Sequence, residues 1–194
     1  MRMDSGVTLV LAATYPGFGI GRAGSLPWRL KNEMKFFRQV TDGGVVIMGR
    51  KTWESIPLRF RPLQNRVNVI VSRNPDFELP DGVLFANSYE QALEKASTLK
   101  KKMFVIGGGQ LYAAALEHPA TNLILMTQIH DPDNTFKCDT FFNFPAEEWT
   151  RETEDQLRRT LRPLTINATV CKEVGVSYEY TLWSRKPSST NEED

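Results

Sequence analysis

Residues 19–28 read GIGRAGSLPW, and their interpretation decides which α/β fold this chain can adopt. Gly19, Gly21 and Gly24 satisfy G-x-G-x-x-G, the fingerprint that seats a dinucleotide pyrophosphate on a helix N-terminus. An apolar run, VTLVLAA (Val7 to Ala13), precedes them as a first strand would. The fingerprint needs its last glycine inside the first turn of a helix. Here Ser25, Leu26 and Pro27 follow, and proline biases the residue before it away from helix. The acidic residue expected about 20 positions further on is missing, and Gly49-Arg50-Lys51 stands in its place. Residues 14–28 are therefore expected to form a long Gly/Pro loop, and loops of this length in compact domains are usually functional.

Outward from that loop, short β-branched runs alternate with helical patterns. The strand candidates are Val7 to Ala13, Val45 to Met48, Val67 to Val71, Val83 to Ala86, Met103 to Ile106 and Leu123 to Ile129. Runs of this kind belong to strands covered on both faces. Helices are expected near residues 30–41, 51–56, 88–99 and 110–116, the third opened by a capping box, Ser88-x-x-Gln91. Such alternation specifies a largely parallel α/β sheet. After Phe144 the pattern changes, and the runs around Trp149 and Ser177 to Trp183 read as antiparallel edge strands.

With 194 residues, 41% hydrophobic and 24% charged, the chain has the composition of a globular domain. No apolar run approaches the roughly 20 residues that span a bilayer. The start of the chain reads as a strand rather than a signal peptide. Cys138 and Cys171 form no C-x-x-C pair and the chain has two histidines, so neither a zinc site nor a disulfide is expected, and a reducing compartment is. Charge is uneven: residues 1–73 carry 12 Lys/Arg against 4 Asp/Glu, and residues 74–194 carry 12 against 19. A basic half without interleaved stacking aromatics suits a phosphorylated small molecule better than a polynucleotide. The segment from Lys186 to Asp194 is polar and acidic and is expected to be disordered.

The sharpest chemical clue lies in LKNEMKFFRQVT. Leu30, Glu33, Phe37 and Val40 fall on one helical face, apolar except for Glu33, while Lys31, Lys35 and Arg38 point elsewhere. A carboxyl turned toward a core needs a partner or a proton, and desolvation favours the proton. It either relays a proton or pairs with backbone groups or a buried arginine. Basic and small residues also recur where strands end. GRKT (Gly49 to Thr52) opens a helix and offers amides, Arg50, Lys51 and a hydroxyl to phosphates. VSRN (Val71 to Asn74) puts an arginine beside a serine, as a 2′-phosphate requires and a bare ribose does not. VIGGGQLY (Val105 to Tyr112) lets backbone approach a ligand closely. These strand-end sites point to NADPH as cofactor.

Taken in order, GIGRAGSLPW, Asn32-Glu33, MGRKTWESIP (Met48 to Pro57), FRPLQNRVNVIVSR (Phe60 to Arg73), VIGGGQLY and CDTFF (Cys138 to Phe142) resemble dihydrofolate reductase, most closely in its fungal monofunctional form. The resemblance runs from Val7 to about Lys186. It implies a three-layer α/β fold, with a mainly parallel eight-stranded twisted sheet, flanking helices and an antiparallel C-terminal edge. It also implies one reductase domain over residues 1–186, a tail at 187–194 and no attached thymidylate synthase. The implied activity is NADPH-dependent reduction of dihydrofolate, in a cytoplasmic monomer open to antifolates.

The resemblance assigns Glu33 to the pterin, as hydrogen-bond acceptor and as support for protonation at N5, with Thr127 orienting it. Leu26 and Trp28 complete the reacting centre, Trp28 by holding a water. Leu11, Ala12, Met34, Phe37, Ile56, Leu63, Ile106 and Tyr112 correspond to walls of the substrate pocket, and Arg66 to the arginine that binds the α-carboxylate of folate. Ala13, Ile20, Gly24, Ser25 and Leu26 correspond to the loop over the nicotinamide. Arg50, Ser72 and Arg73 correspond to the 2′-phosphate site. Gly49, Lys51, Thr52, Ser55, Val71 and the run Gly107, Gly108, Gly109, Gln110, Leu111 line the rest of the cofactor, with Gly107-Gly108 matching a cis peptide. No metal is implied. Met34 stands where vertebrate members have phenylalanine, Phe60 where some relatives are polar, and Gly109-Gln110 where some carry hydroxyls. A pyrimidine reductase of riboflavin synthesis on the same fold, or a non-catalytic nucleotide-binding module, are the alternatives; Glu33 and Arg66 argue for the folate substrate.

Overall fold

The computed structural model describes residues 6–74 and 76–187, so the acidic tail lies almost wholly outside the described residues. The chain runs β1 (Val7–Tyr15), β2 (Gly19–Gly21), α1 (Lys31–Thr41), β3 (Val45–Gly49), α2 (Arg50–Ser55), β4 (Val67–Val71), β5 (Leu84–Ala86) and α3 (Tyr89–Ser97). It continues through β6 (Met103–Val105), α4 (Gly109–Glu117), β7 (Thr121–His130), β8 (Thr140–Phe141), β9 (Trp149–Arg151), α5 (Glu154–Leu161), β10 (Val170–Glu173) and β11 (Val176–Arg185). The main sheet has the order β10-β11-β7-β1-β6-β3-β4-β5. The strands from β7 to β5 pair in parallel, while β11 joins β7 antiparallel. Eight strands form the expected path, and β9 pairs with β11 beside it as a ninth.

Alternate strand residues face opposite sides, so the sheet has a core on each. Leu9, Ile47, Val69, Val105 and Met126 pack with α3 and α4 on one face. Val10, Val46, Met48, Ile70 and Leu125 pack with Phe36 of α1, Trp53 of α2 and Leu157 and Leu161 of α5 on the other. The segment after β1 thus leaves to one face and the segment after β6 to the opposite face. Adjacent parallel strands whose connections diverge in this way open a crevice at their carboxyl ends, where α/β proteins hold ligands.

Several elements differ from the sequence expectation, among them β10, which takes the sheet edge outside β11, so that the Ser177 to Trp183 run is not itself an edge strand. The long loop is interrupted by β2, which pairs with β8. Helix α5 was not foreseen: it is short and highly charged, with only Leu157 and Leu161 apolar, and is capped by Thr153, whose hydroxyl accepts from Gln156 N at 3.2 Å. On α1 the inward face is centred on Glu33 and Phe36, with Phe37 and Val40 half-buried, a rotation toward Tyr180, on which Phe36 stacks at 3.8 Å.

The hairpin β10–β11 is closed by Val174 (φ 46°) and Gly175 (φ 81°). Two positive φ values make this a primed two-residue turn that favours Asn-Gly. A β-branched residue in the left-handed region is strained, and Val174 is 81% exposed, so packing returns little. Val174→Asn is expected to stabilise the protein by about 1 kcal/mol. The check is the urea midpoint: it should rise with an unchanged slope, and a lower midpoint would show that the valine is not strained.

Candidate active site

The crevice is floored where β1, β7 and β11 lie side by side. Thr127 of β7 is in register with Ala12 of β1 and Tyr180 of β11. Helix α1 lays Glu33 over this row with 6% of its surface exposed. The Thr127 hydroxyl donates to Glu33 Oε1 at 3.2 Å. Burial pushes the Glu33 carboxyl up to about 7, against the lowering effect of that hydrogen bond and with support from the charge of Glu173. A carboxyl placed so is half protonated near neutrality, the range in which an acid can both hold and release a proton.

The pocket-wall residues expected from the sequence differ in their exposure. Leu11 and Tyr112 are buried; Ala12, Phe37, Ile56, Leu63 and Ile106 are half-buried; Met34 and Leu26 are each about half exposed. Tyr112 is fixed by donating to Val10 O at 3.0 Å, and burial pushes its phenol far up, so it stays neutral. Trp28 is buried edge-on against Phe136, and its indole N–H has no acceptor among the described residues. Arg66 is held by bonds from Nε to Gln64 O (2.9 Å) and from Nη1 to the Thr41 hydroxyl (3.0 Å). Burial and the neighbouring charge of Arg38 both disfavour its charged form, which an anionic ligand would relieve.

The second half of the crevice is the edge formed by the ends of β3, β4 and β6. These strands are neighbours, so Gly49, Ser72 and Gly107 share one rim. Gly49 N donates to Gly107 O at 2.7 Å. The Gly107–Gly108 peptide is cis, and Gly107 has φ 130°. A Cβ at Gly107 or Gly108 would come within 3.1 or 3.2 Å of the Thr52 hydroxyl, a tight approach in the cradle between α2 and the start of α4, and at Gly107 the positive φ would strain any other residue. The α4 amides beginning at Gly109, with Gln110 exposed and Leu111 buried, face this rim with no side-chain cap of their own. That arrangement suits a pyrophosphate. Lys51 is exposed and Thr52 half-buried; Ser55 Oγ donates to Thr52 O at 2.7 Å. Ser72 is buried and accepts from Asn74 N at 3.2 Å, with Arg73 exposed beside it and Val71 half-buried. Arg50 pairs with Glu54 at 3.1 Å, an exposed ion pair too weak to withhold it from a phosphate.

The glycine-rich loop of residues 14–28 packs against the second half. Gly19 N donates to the Thr14 hydroxyl at 2.9 Å and Ala23 N to Asp139 at 2.7 Å. Arg22 and Ser25 bond to each other's backbone, leaving Gly24 and Ser25 exposed at the tip. Ile20 reaches to 3.9 Å from the Cβ position of Gly109, which ties the loop to the start of α4. Ala13 is buried at the end of β1 beneath it. Sequence reasoning missed Asp139, Tyr180 and Glu173 as parts of this site. Asp139 sits in the CDTFF motif, but nothing local marks it as the anchor of Ala23, and the other two lie far along the chain.

A groove of about 1110 Å³ opens at the opposite edge of the sheet between the end of α1 and α5, lined by Arg38, Lys101, Phe104, Leu125 and Leu161 among others. None of the residues expected from the sequence lines it. Among the described residues no cluster of His, Cys, Asp and Glu could hold a metal.

Known proteins share this sequence pattern and fold. The family model described as dihydrofolate reductase matches residues 7–170. The dihydrofolate reductase of Candida albicans is 37% identical over 189 residues, covering 93% of this chain and 97% of that one. That of Pneumocystis carinii is 38% identical over 209 residues, covering 95% and 99%. A solved structure of dihydrofolate reductase from Enterococcus faecalis, complexed with NADP(H) and RAB-propyl, superposes with a TM-score of 0.75 at 28% identity, over 95% of this chain and 98% of that one.

Proposed function

The chain belongs to the dihydrofolate reductase family, and from that premise we propose how its own residues carry the reaction. The activity is NADPH-dependent reduction of 7,8-dihydrofolate to 5,6,7,8-tetrahydrofolate. When bound, NADPH supplies the hydride that passes from nicotinamide C4 to pterin C6. The glycine cradle beside Thr52 fits the cofactor, since it keeps backbone amides open to a pyrophosphate.

The observation that carries the assignment is the buried Glu33–Thr127 pair at the crevice floor. Glu33 accepts hydrogen bonds from the pterin 2-amino group and ring nitrogen and assists protonation at N5. Thr127 fixes the orientation of the carboxyl. Trp28 holds a water at the pterin, which its unpartnered indole N–H supports. Leu11, Ala12, Met34, Phe37, Ile56, Leu63, Ile106 and Tyr112 enclose the ring system, and Arg66 binds the α-carboxylate as a bidentate pair. Arg50, Ser72 and Arg73 meet the 2′-phosphate. Gly49, Lys51, Thr52, Ser55, Val71 and the run from Gly107 to Leu111 line the rest of the cofactor. Residues 14–28, with Ile20, Gly24, Ser25 and Leu26 against the nicotinamide and Ala13 beneath, exclude water from the reacting centre.

No helix among the described residues is long and apolar enough to cross a membrane. A cytoplasmic location is part of the proposal, supported by the two free cysteines. So is a monomer: the large exposed apolar side chains are spread over loops and the hairpin rather than gathered on one helix.

The test is loss of reduced-nicotinamide absorbance on mixing protein, dihydrofolate and either NADPH or NADH. Rapid loss with NADPH, blocked by an antifolate and at least about tenfold slower with NADH, is expected from the arginine–serine rim, each charged contact contributing roughly 1.5–3 kcal/mol. Equal rates with both cofactors would remove Arg50, Ser72 and Arg73 from the 2′-phosphate site. No loss with folded, NADPH-binding protein would move the search to another oxidised heterocycle.

A further inference from the structure

Helix α1 begins without a cap of its own. Its N-cap residue is Leu30, whose side chain accepts nothing, and the first backbone N–H groups of any helix need acceptors. They find them 142 and 141 positions further along the chain: Lys31 N donates to Glu173 Oε1 at 2.6 Å and Asn32 N to Oε2 at 2.9 Å. Both carboxylate oxygens are used, each on a separate amide. Glu173 is half-buried as the last residue of β10, where the two-residue turn at Val174–Gly175 fixes it against α1.

The geometry points to a positioning role: the Glu173 carboxylate holds the amino end of α1 and neutralises its positive end, so that Glu33, in the same turn, is left free to carry a proton. The inference rests on the reading of Glu33 as the acid of the reaction. A helix N-terminus carries roughly half a positive charge and stabilises anions in its first turn. Glu33 is the third helical residue, so the bare N-terminus of α1 would favour its ionised form. Glu173 occupies that positive end first and also adds its own negative charge nearby.

The groups facing Glu33 from the packed elements are few. Thr127 of β7 donates to it; Tyr112 of α4 and Tyr178 and Tyr180 of β11 are the neighbouring titratable side chains, all with phenols pushed up by burial; Glu173 of β10 is the charged one. The tyrosines are neutral in the physiological range, which leaves Glu173 as the charge acting on Glu33. The shift of the Glu33 carboxyl agrees, with the charge of Glu173 acting upward after burial.

The experiment is the pH profile of single-turnover hydride transfer, from about pH 5 to pH 9, for the wild type, Glu173→Gln, Glu173→Asp and Glu33→Gln, with saturating NADPH. In Glu173→Gln the inflection should move down by about half a pH unit, the rate at pH 8 falling roughly threefold while the rate on the acid plateau is retained. Glu173→Asp, which keeps the charge, should restore most of the profile. Glu173→Asn keeps a capping oxygen without charge and replaces Glu173→Gln should that variant not fold. An unmoved inflection in the neutral variant, even with a lowered melting temperature, would reduce Glu173 to a structural cap and overturn the inference. If the wild-type inflection persisted in Glu33→Gln, the reading of Glu33 would fail instead, so the two failures are distinguishable.

Discussion

Glu33→Gln is expected to lower the rate of dihydrofolate reduction at pH 7 by about 10²- to 10⁴-fold, the usual range for removing a positioned acid, while NADPH affinity changes less than about twofold. Glutamine has nearly the same shape and still offers an oxygen to the Thr127 hydroxyl, which lies 3.2 Å from Glu33 Oε1. What it lacks is a titratable proton near neutral pH and the charge that recognises the pterin. The cofactor rim at Gly49, Thr52 and Gly107 belongs to other elements, which is why NADPH binding should survive. Stopped-flow hydride transfer and a fluorescence titration with NADPH measure the two separately. A variant that turned over at the wild-type rate at pH 7 would rule out the acid role. A parallel loss of NADPH affinity would show instead that the crevice had collapsed.

The same substitution should make the unliganded protein more stable at high pH, by up to about 3 kcal/mol at pH 8. The carboxyl titrates at about 7 when folded against an ordinary value of 4.5. Below 4.5 both states are protonated and the group costs nothing. Between 4.5 and 7 the folded state holds a proton that the unfolded chain has released, so stability falls as pH rises through this window. Above about 7 the full burial penalty is present. Glutamine does not titrate, so its advantage should appear above pH 7 and fade toward pH 4.5. Urea unfolding of both proteins at pH 8 and pH 5 decides the matter. An equal difference at the two pH values would mean that Glu33 is not a buried acid with a raised titration point. A stabilising loss of function is expected where a site keeps a carboxyl in surroundings that disfavour its charge.

Local pattern carried far into this structure because much of the site is built on strand ends. β1, β3, β4, β6 and β7 carry apolar runs, so their positions, and the glycines and basic residues just beyond them, could be read from the hydrophobic pattern. Pro27 and the missing acidic residue dismiss the glycine fingerprint, and no helix begins at Gly24. Glu33 was conspicuous as one polar residue on an apolar face. The Ser88 cap formed as its spacing requires, accepting from Gln91 N at 3.1 Å. By contrast α5 went unread, since two leucines in eight residues make too faint a stripe against its charges. Phe36 rather than Phe37 faces inward because Tyr180, from the far end of the chain, offers a ring to stack on.

The sequence by itself determined the alternation of strands and helices, the Gly/Pro segment at residues 14–28 and the single carboxyl on the apolar face of α1, because each depends on neighbours within about a dozen positions. Only the tertiary structure decided what acts on these pieces. The Thr127 hydroxyl reaches Glu33 across 94 positions, Asp139 anchors Ala23 across 116, and Glu173 caps α1 across 142. Such contacts depend on which strands become neighbours, and strand order follows from burying two apolar faces at once rather than from any local pattern. The titration of Glu33 is the clearest case: its identity is a matter of one position, but the loss of water and the charge that move its proton come from elements the chain supplies much later.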